Sequence, residues 1–355
     1  VLTGVSTYTG ATTVTGSLQL GNGGSIGSSS SISNTGNVTI NRTTTATQGT
    51  EFPVITGAGG DFTKSGNSTT IFTLANTYSG TTGVTAGTLQ MGNGGTAGSL
   101  ASTSSVVVST GATFAVNRSN SVSQSTAFAL VSGAGNFTQS GAGTTTLTSA
   151  NTYSGLTTVS GGVLRYGIAN AISTGGITIT GGAALDLATF NDSVGAVTLT
   201  SGTILGSGTL TSTSGFTLTS GSIQAPLAGS VGLTMQGSGL VPLTGANLYT
   251  GATTVSSGTL QMGDGTATGS IGSSSSIAVS AGAVFAVNRS DSVTQGSSFF
   301  RAISGAGGFQ QAGSGTTTLA SVNTYTGPTS VLGGALAVTG TLGATSMTVS
   351  TGAIL

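Results

Sequence analysis

Pairs of apolar residues two positions apart recur along the whole chain, separated by clusters of Gly, Asn and Ser. Ile277/Val279, Phe285/Val287, Val106/Val108, Phe114/Val116, Leu18/Leu20 and Leu89/Met91 are examples. A period of two marks a β-strand with one buried face. One set of side chains then points into a narrow core, and the other, largely Thr and Ser, lines the outside. The runs Gly21-Asn22-Gly23-Gly24 and Gly92-Asn93-Gly94-Gly95 predict corners, because bends between short strands need positive φ, which Gly adopts cheaply. No stretch carries apolar residues at i, i+3, i+4 and i+7 with capping signals, so the chain is expected to be all-β.

A long period organises these strands. Tyr8, Tyr78, Tyr153, Tyr249 and Tyr325 each precede a Gly by two positions, and the last four sit in Asn-x-Tyr-x-Gly segments. Successive tyrosines are nearly evenly spaced, except for a longer interval between Tyr153 and Tyr249. Phe114-Ala115-Val116-Asn117-Arg118-Ser119 returns as Phe285-Ala286-Val287-Asn288-Arg289-Ser290, with a weaker copy at Ile40-Asn41-Arg42-Thr43. Gly57-Ala58-Gly59, Gly133-Ala134-Gly135 and Gly305-Ala306-Gly307 keep the same phase, each followed by Phe62, Phe137 or Phe309. The divisions are residues 1–75, 76–150, 151–246, 247–322 and a partial 323–355, within a single domain. The third is longer by about 20 residues, one coil of a solenoid, and a whole-coil insertion preserves stacking register. Coils of about 20 to 25 residues, three or more per repeat, follow.

Composition narrows the chemistry. The 355 residues include 63 glycines, six basic and six acidic side chains, and no His or Cys. Charged residues are 3% of the chain, too few for a nucleic-acid footprint. Absence of His and Cys removes the commonest general base, thiolate metal sites and disulfides. No apolar run approaches the roughly 18 residues of a membrane-spanning helix, so any membrane link is expected through a segment outside this chain. Hydrophobic residues at 36%, in regular alternation, argue against disorder.

Leu74-Ala75-Asn76-Thr77-Tyr78-Ser79-Gly80-Thr81-Thr82, followed by Val84 and Gly87-Thr88-Leu89-Gln90-Met91-Gly92, resembles the autotransporter-associated β-strand repeat. The copy from Gly315-Thr316-Thr317-Thr318-Leu319 to Asn323-Thr324-Tyr325-Thr326-Gly327 resembles it equally well. This resemblance implies a surface-exposed bacterial passenger region forming a parallel β-helix. Taken with the period, it leads to a right-handed parallel β-helix of about 15 to 17 coils.

Candidate site residues are those that repeat. The five tyrosines are read as corner packing that stacking requires, in preference to an aromatic ladder for sugars. Arg42, Arg118 and Arg289 share one phase, with Asp192 in their place in the third repeat. They are read as corner residues bonding local carbonyls. Asp186 and Asp192 are the nearest acidic pair in sequence, and a glycosidase needs two carboxylates about 5 to 9.5 Å apart. Asp186 lies amid Ala184, Leu185 and Leu187, so no enzyme, metal or cofactor is expected.

The leading functional expectation is a structural or adhesive shaft on a bacterial surface, contacting surface glycans or other cells. An alternative is a glycan- or ice-binding face made of outward Thr rows such as Thr144-Thr145-Thr146 and Thr316-Thr317-Thr318. The chain opens and stops inside the repeat, with neither end resembling a polar cap. Continuation into further repeats, or end-to-end stacking of copies into a fibre, is expected.

Overall fold

The computed structural model describes residues 1–100, 103–296 and 298–355. Short parallel strands stack as a β-solenoid of about 17 turns, and the one helix among the described residues, Gln124–Ala127, is a single short turn. No helix there is long and apolar enough to cross a membrane. Two compact units divide the chain, Val1–Gly176 and Ile177–Leu355.

In the first unit, one sheet carries Ser17–Leu20, Asn37–Asn41, Asp61–Ser65, Thr82–Val84, Val106–Val108 and Val131–Gly133 in sequence order. A second carries Ala46–Thr47, Thr69–Phe72, Thr88–Met91, Thr113–Val116, Asn136–Gln139 and Thr157–Val159. The period-two pattern is what aims these strands: Val106 and Val108 are fully buried, as are Phe114 and Val116 and Leu89 and Met91, whereas Leu18 is only half-buried.

Register shows how the long repeat maps onto coils. In the first sheet Phe62 pairs with Thr82, Thr82 with Val106 and Val106 with Val131, each step being one coil. Phe137, the next copy of Phe62, instead pairs with Phe114 in the second sheet. The second unit has the same rhythm. Leu233, Thr253, Ile277 and Ile303 pair in succession, and then Phe309 joins Phe285 in a different sheet. A repeat therefore covers three coils plus one face, and successive copies of a residue land on different sheets. The coils shorten progressively where Ile177 pairs with Val197, Val197 with Phe216 and Phe216 with Leu233. Tight corners at Gly202, Gly215 and Gly221, all with φ between 112° and 124°, allow three-residue strands to follow one another closely there.

Each unit's interior is aromatic where the repeat phase brings rings together. Phe62 lies 4.8 Å from Phe72 and 6.1 Å from Tyr78. Phe137 packs on Tyr153 at 5.9 Å, and Phe309 on Tyr325 at 6.3 Å. Edge, tilted and stacked contacts of this kind add a little beyond area burial.

The Thr triplets do not form flat outward rows. Strand alternation turns the middle residue inward, so Thr145 and Thr317 are each 1% exposed. The outward Thr144 and Thr146 pair with Val163 and Arg165 on the neighbouring strand. A different row exists within the second unit: Thr178, Thr198, Thr217, Thr234 and Thr254 pair strand to strand on one outward face.

Candidate functional site

The repeated corner is built from Asn, Tyr and Gly. Tyr78, Tyr153, Tyr249 and Tyr325 are at most 1% exposed, while Tyr8 is half-exposed. Every one of the five hydroxyls bonds the Thr four positions on, at 2.6 to 2.7 Å. From there the chain of hydroxyls continues. Thr82 meets Thr103 at 3.0 Å, and Thr103 donates to the Gly80 carbonyl at 2.6 Å. Ser274 and Thr345 do the same for Gly251 and Gly327. Burial pushes the Tyr78 and Tyr249 phenols above their ordinary value of 10. The corner glycine is needed for closeness rather than for φ: a Cβ on Gly155 would sit 2.3 Å from the Gly135 carbonyl oxygen.

The asparagines are equally enclosed. Asn76, Asn151, Asn247 and Asn323 accept the backbone N–H of Ile55, Val131, Leu227 and Ile303 at 2.9 to 3.0 Å. Three of them pair with a buried glutamine one coil earlier, Gln48, Gln124 or Gln295, at 2.6 to 2.7 Å. Alternation and glycine placement do not single out these glutamines. Their signal is a Gln 27 or 28 positions before the Asn, and it is missing ahead of Asn247.

Lys64 is fully buried, and its ammonium donates to the carbonyls of Ser65, Gly66 and Ala86. Desolvation lowers its pKa from 10.5 to about 8. The same phase holds Gln139 and Gln311, each of whose amide oxygens accepts from a buried Thr six positions on, Thr145 or Thr317. A lysine offers no acceptor. The corresponding Thr70 hydroxyl is accordingly buried without a partner. In the fourth copy both positions are apolar, Met235 and Val241.

The three repeat-phased arginines lie buried against backbone carbonyls, and what differs is the side chain two positions on. Arg42 donates to Gly24 at 3.3 Å, and its Nε has no partner beside Thr44. Arg118 donates to Gly98 and Thr96, and its Nε to Asn120 at 3.1 Å. Arg289 donates to Gly269 and Ala267, and also grips Asp291 with two bonds of 2.9 and 2.7 Å. That grip holds the Asp291 carboxyl below its usual range. Asp186 and Asp192 accept the backbone N–H of Ala188 and Ser193 at 2.8 and 2.7 Å. Among the described residues no group of His, Cys, Asp or Glu could hold a metal ion.

Comparison with known proteins bears on the whole repeat. The family model of the passenger-associated-transport-repeat matches residues 1–19, 62–91, 137–165, 233–262 and 309–338. Each matched segment contains one of the five corner tyrosines. The chain is also 33% identical over 243 residues to the adhesin BmaC autotransporter of Brucella suis biovar 1 (strain 1330), a match spanning 56% of this chain and 7% of that protein. No solved structure matches. Five segments of the chain are thus similar to the passenger-associated-transport-repeat of autotransporters, and in four of them the corner tyrosine is buried.

Proposed function

We propose that the chain is a non-catalytic adhesive scaffold, displayed at or released from a bacterial surface. One observation carries this reading: the residues that repeat are spent on stacking. Gln48 and Asn76 turn inward and bond each other across coils, and Tyr78 turns inward to bond Thr82, which in turn meets Thr103 on the next coil. That leaves an outer surface rich in neutral hydroxyls. The similar Brucella protein is described as an adhesin, which supports attachment as the role. Beads coated with the chain should adhere to host-type cell surfaces above beads coated with an uncharged control protein. Equal retention of both beads would overturn the reading, as would cleavage of a polysaccharide panel by the chain.

A second reading, a glycan-binding face, is favoured by the Thr178–Thr198–Thr217–Thr234–Thr254 row. These hydroxyls stand about 4.8 Å apart along the sheet, on a face where a flat, hydroxylated ligand could lie across them. Replacing Thr198 and Thr217 by Lys should abolish retention on an insoluble polysaccharide. Unchanged retention would exclude this face.

A further inference from the structure

The two well-formed copies of the arginine corner each border a pocket, and the two pockets differ in charge. In the second unit a cavity of about 320 Å³ is bordered by Arg289, whose guanidinium is neutralised by Asp291 and covered by the Phe299 ring at 5.1 Å. In the first unit a cavity of about 380 Å³ is lined by Thr96, Ser99, Arg118, Asn120, Ser123 and Thr126 among others. Here Asn120 stands where the other copy has Asp291, and every oxygen that Arg118 contacts is neutral. Arg118 is 9% exposed, so its charge lies in a partly desolvated place with no carboxylate among its partners.

A buried guanidinium ordinarily comes with an anion, because the low-dielectric surroundings make an unpaired charge costly. Arg118 donates three hydrogen bonds through Nε, Nη1 and Nη2. A guanidinium has five N–H groups, so one remains on each terminal nitrogen for an incoming acceptor. The first unit as a whole also has four basic residues (Arg42, Lys64, Arg118, Arg165) against two acids (Glu51, Asp61), and so carries a net charge of +2. The second has two basic residues against four acids.

We propose that the Arg118 pocket is a binding site for a carboxylate-bearing sugar: beside Asn120, the acid accepts from the remaining N–H groups of the terminal nitrogens and supplies the negative charge that Asp291 supplies in the other copy, and the surrounding Ser and Thr hydroxyls take the ring hydroxyls. The neutralised Arg289 pocket is its internal negative control. This site goes beyond the adhesive reading, since it names a ligand class and a place, and its failure leaves the scaffold reading standing.

The test uses the whole chain and glucuronate, followed by calorimetry at low and high salt. Wild type should bind one equivalent, and binding should weaken as salt screens the charge. Asn120→Asp installs the intramolecular carboxylate that the fold already accepts at Asp291, and should weaken binding at least about tenfold. Asp291→Asn should do the reverse and raise the stoichiometry to two. Three results would overturn the proposal: no binding by wild type, unchanged affinity in Asn120→Asp, or glucose binding as tightly as glucuronate. Acetate binding as tightly as glucuronate would overturn the saccharide assignment.

Discussion

A single exchange, Lys for Gln at position 64, shows how tightly the interior of each coil is specified. Gln139 and Gln311 satisfy both the carbonyls around them and the hydroxyl of the Thr six positions on. Lys64 satisfies only carbonyls, leaves the Thr70 hydroxyl orphaned and adds a buried charge. Lys64→Gln should therefore stabilise the protein by about 1 kcal/mol or more, on the scale of one unmet buried polar group. An unchanged or lower midpoint in urea would contradict this. The same residue sets a pH dependence. The folded pKa of about 8 lies below the ordinary 10.5, so between these values the unfolded chain holds more protons than the folded one. Stability then rises with pH across that window. Above pH 10 the buried Tyr78 and Tyr249 phenols reverse the slope, since unfolded tyrosine loses its proton while the folded phenol, with its raised pKa, keeps it. Urea midpoints measured from pH 7 to 11 should rise and then fall. In Lys64→Gln the rise should disappear and the fall remain.

At the scale of the strand and corner, stability depends on bonds that cross between coils. Gln124 donates to Asn151 and Ala129 and accepts from Thr148, Ser149 and Asn151, so that it bonds across the boundary between two repeats. Gln124→Ala should cost roughly 2 to 4 kcal/mol, because the partners are left buried and unpaired. A smaller loss in urea midpoint would show that water reaches those partners. Asn247 indicates how the repeat can do without the glutamine, with Leu227, Gly245 and Ser270 as its partners. The strands and most corners were legible from alternation and glycine, but the Gln–Asn pairs were not. Their partners lie one coil and a corner apart in sequence, a separation that means nothing until coil length is known. The Thr triplets erred for a related reason. Composition alone says hydroxyl-rich, and only the strand's alternation says that Thr145 and Thr317 face in.

For the whole chain, stacking between nearest neighbours implies that coils are removable units. Phe216 pairs with Leu233 and Leu210 with Leu227, so the segment 216–232 is one coil. Deleting residues 216–232 should bring the strand Leu233–Met235 against Val197–Leu199 and leave the second unit folded. Deleting residues 216–225 should place strands opposite corners and expose the chain to protease. Equal protease resistance of the two deletions would refute the coil assignment.

The alternation of apolar residues determined the strands, and the spacing of the tyrosines determined the repeat and its marked positions, because both are read along the chain without knowing what packs against what. The tyrosines and the arginines were marked by the same repetition, as recurring positions rather than as roles. The tertiary structure decided the rest. Only the register of Phe137 with Phe114, rather than with the sheet of Phe62, shows that a repeat is three coils and one face. That follows from corner lengths accumulated over several coils, which no single segment encodes. Likewise the letters Asn120 and Asp291 differ by little in sequence. Their meaning appears only where each meets its arginine, one leaving a buried charge unpaired and the other closing it.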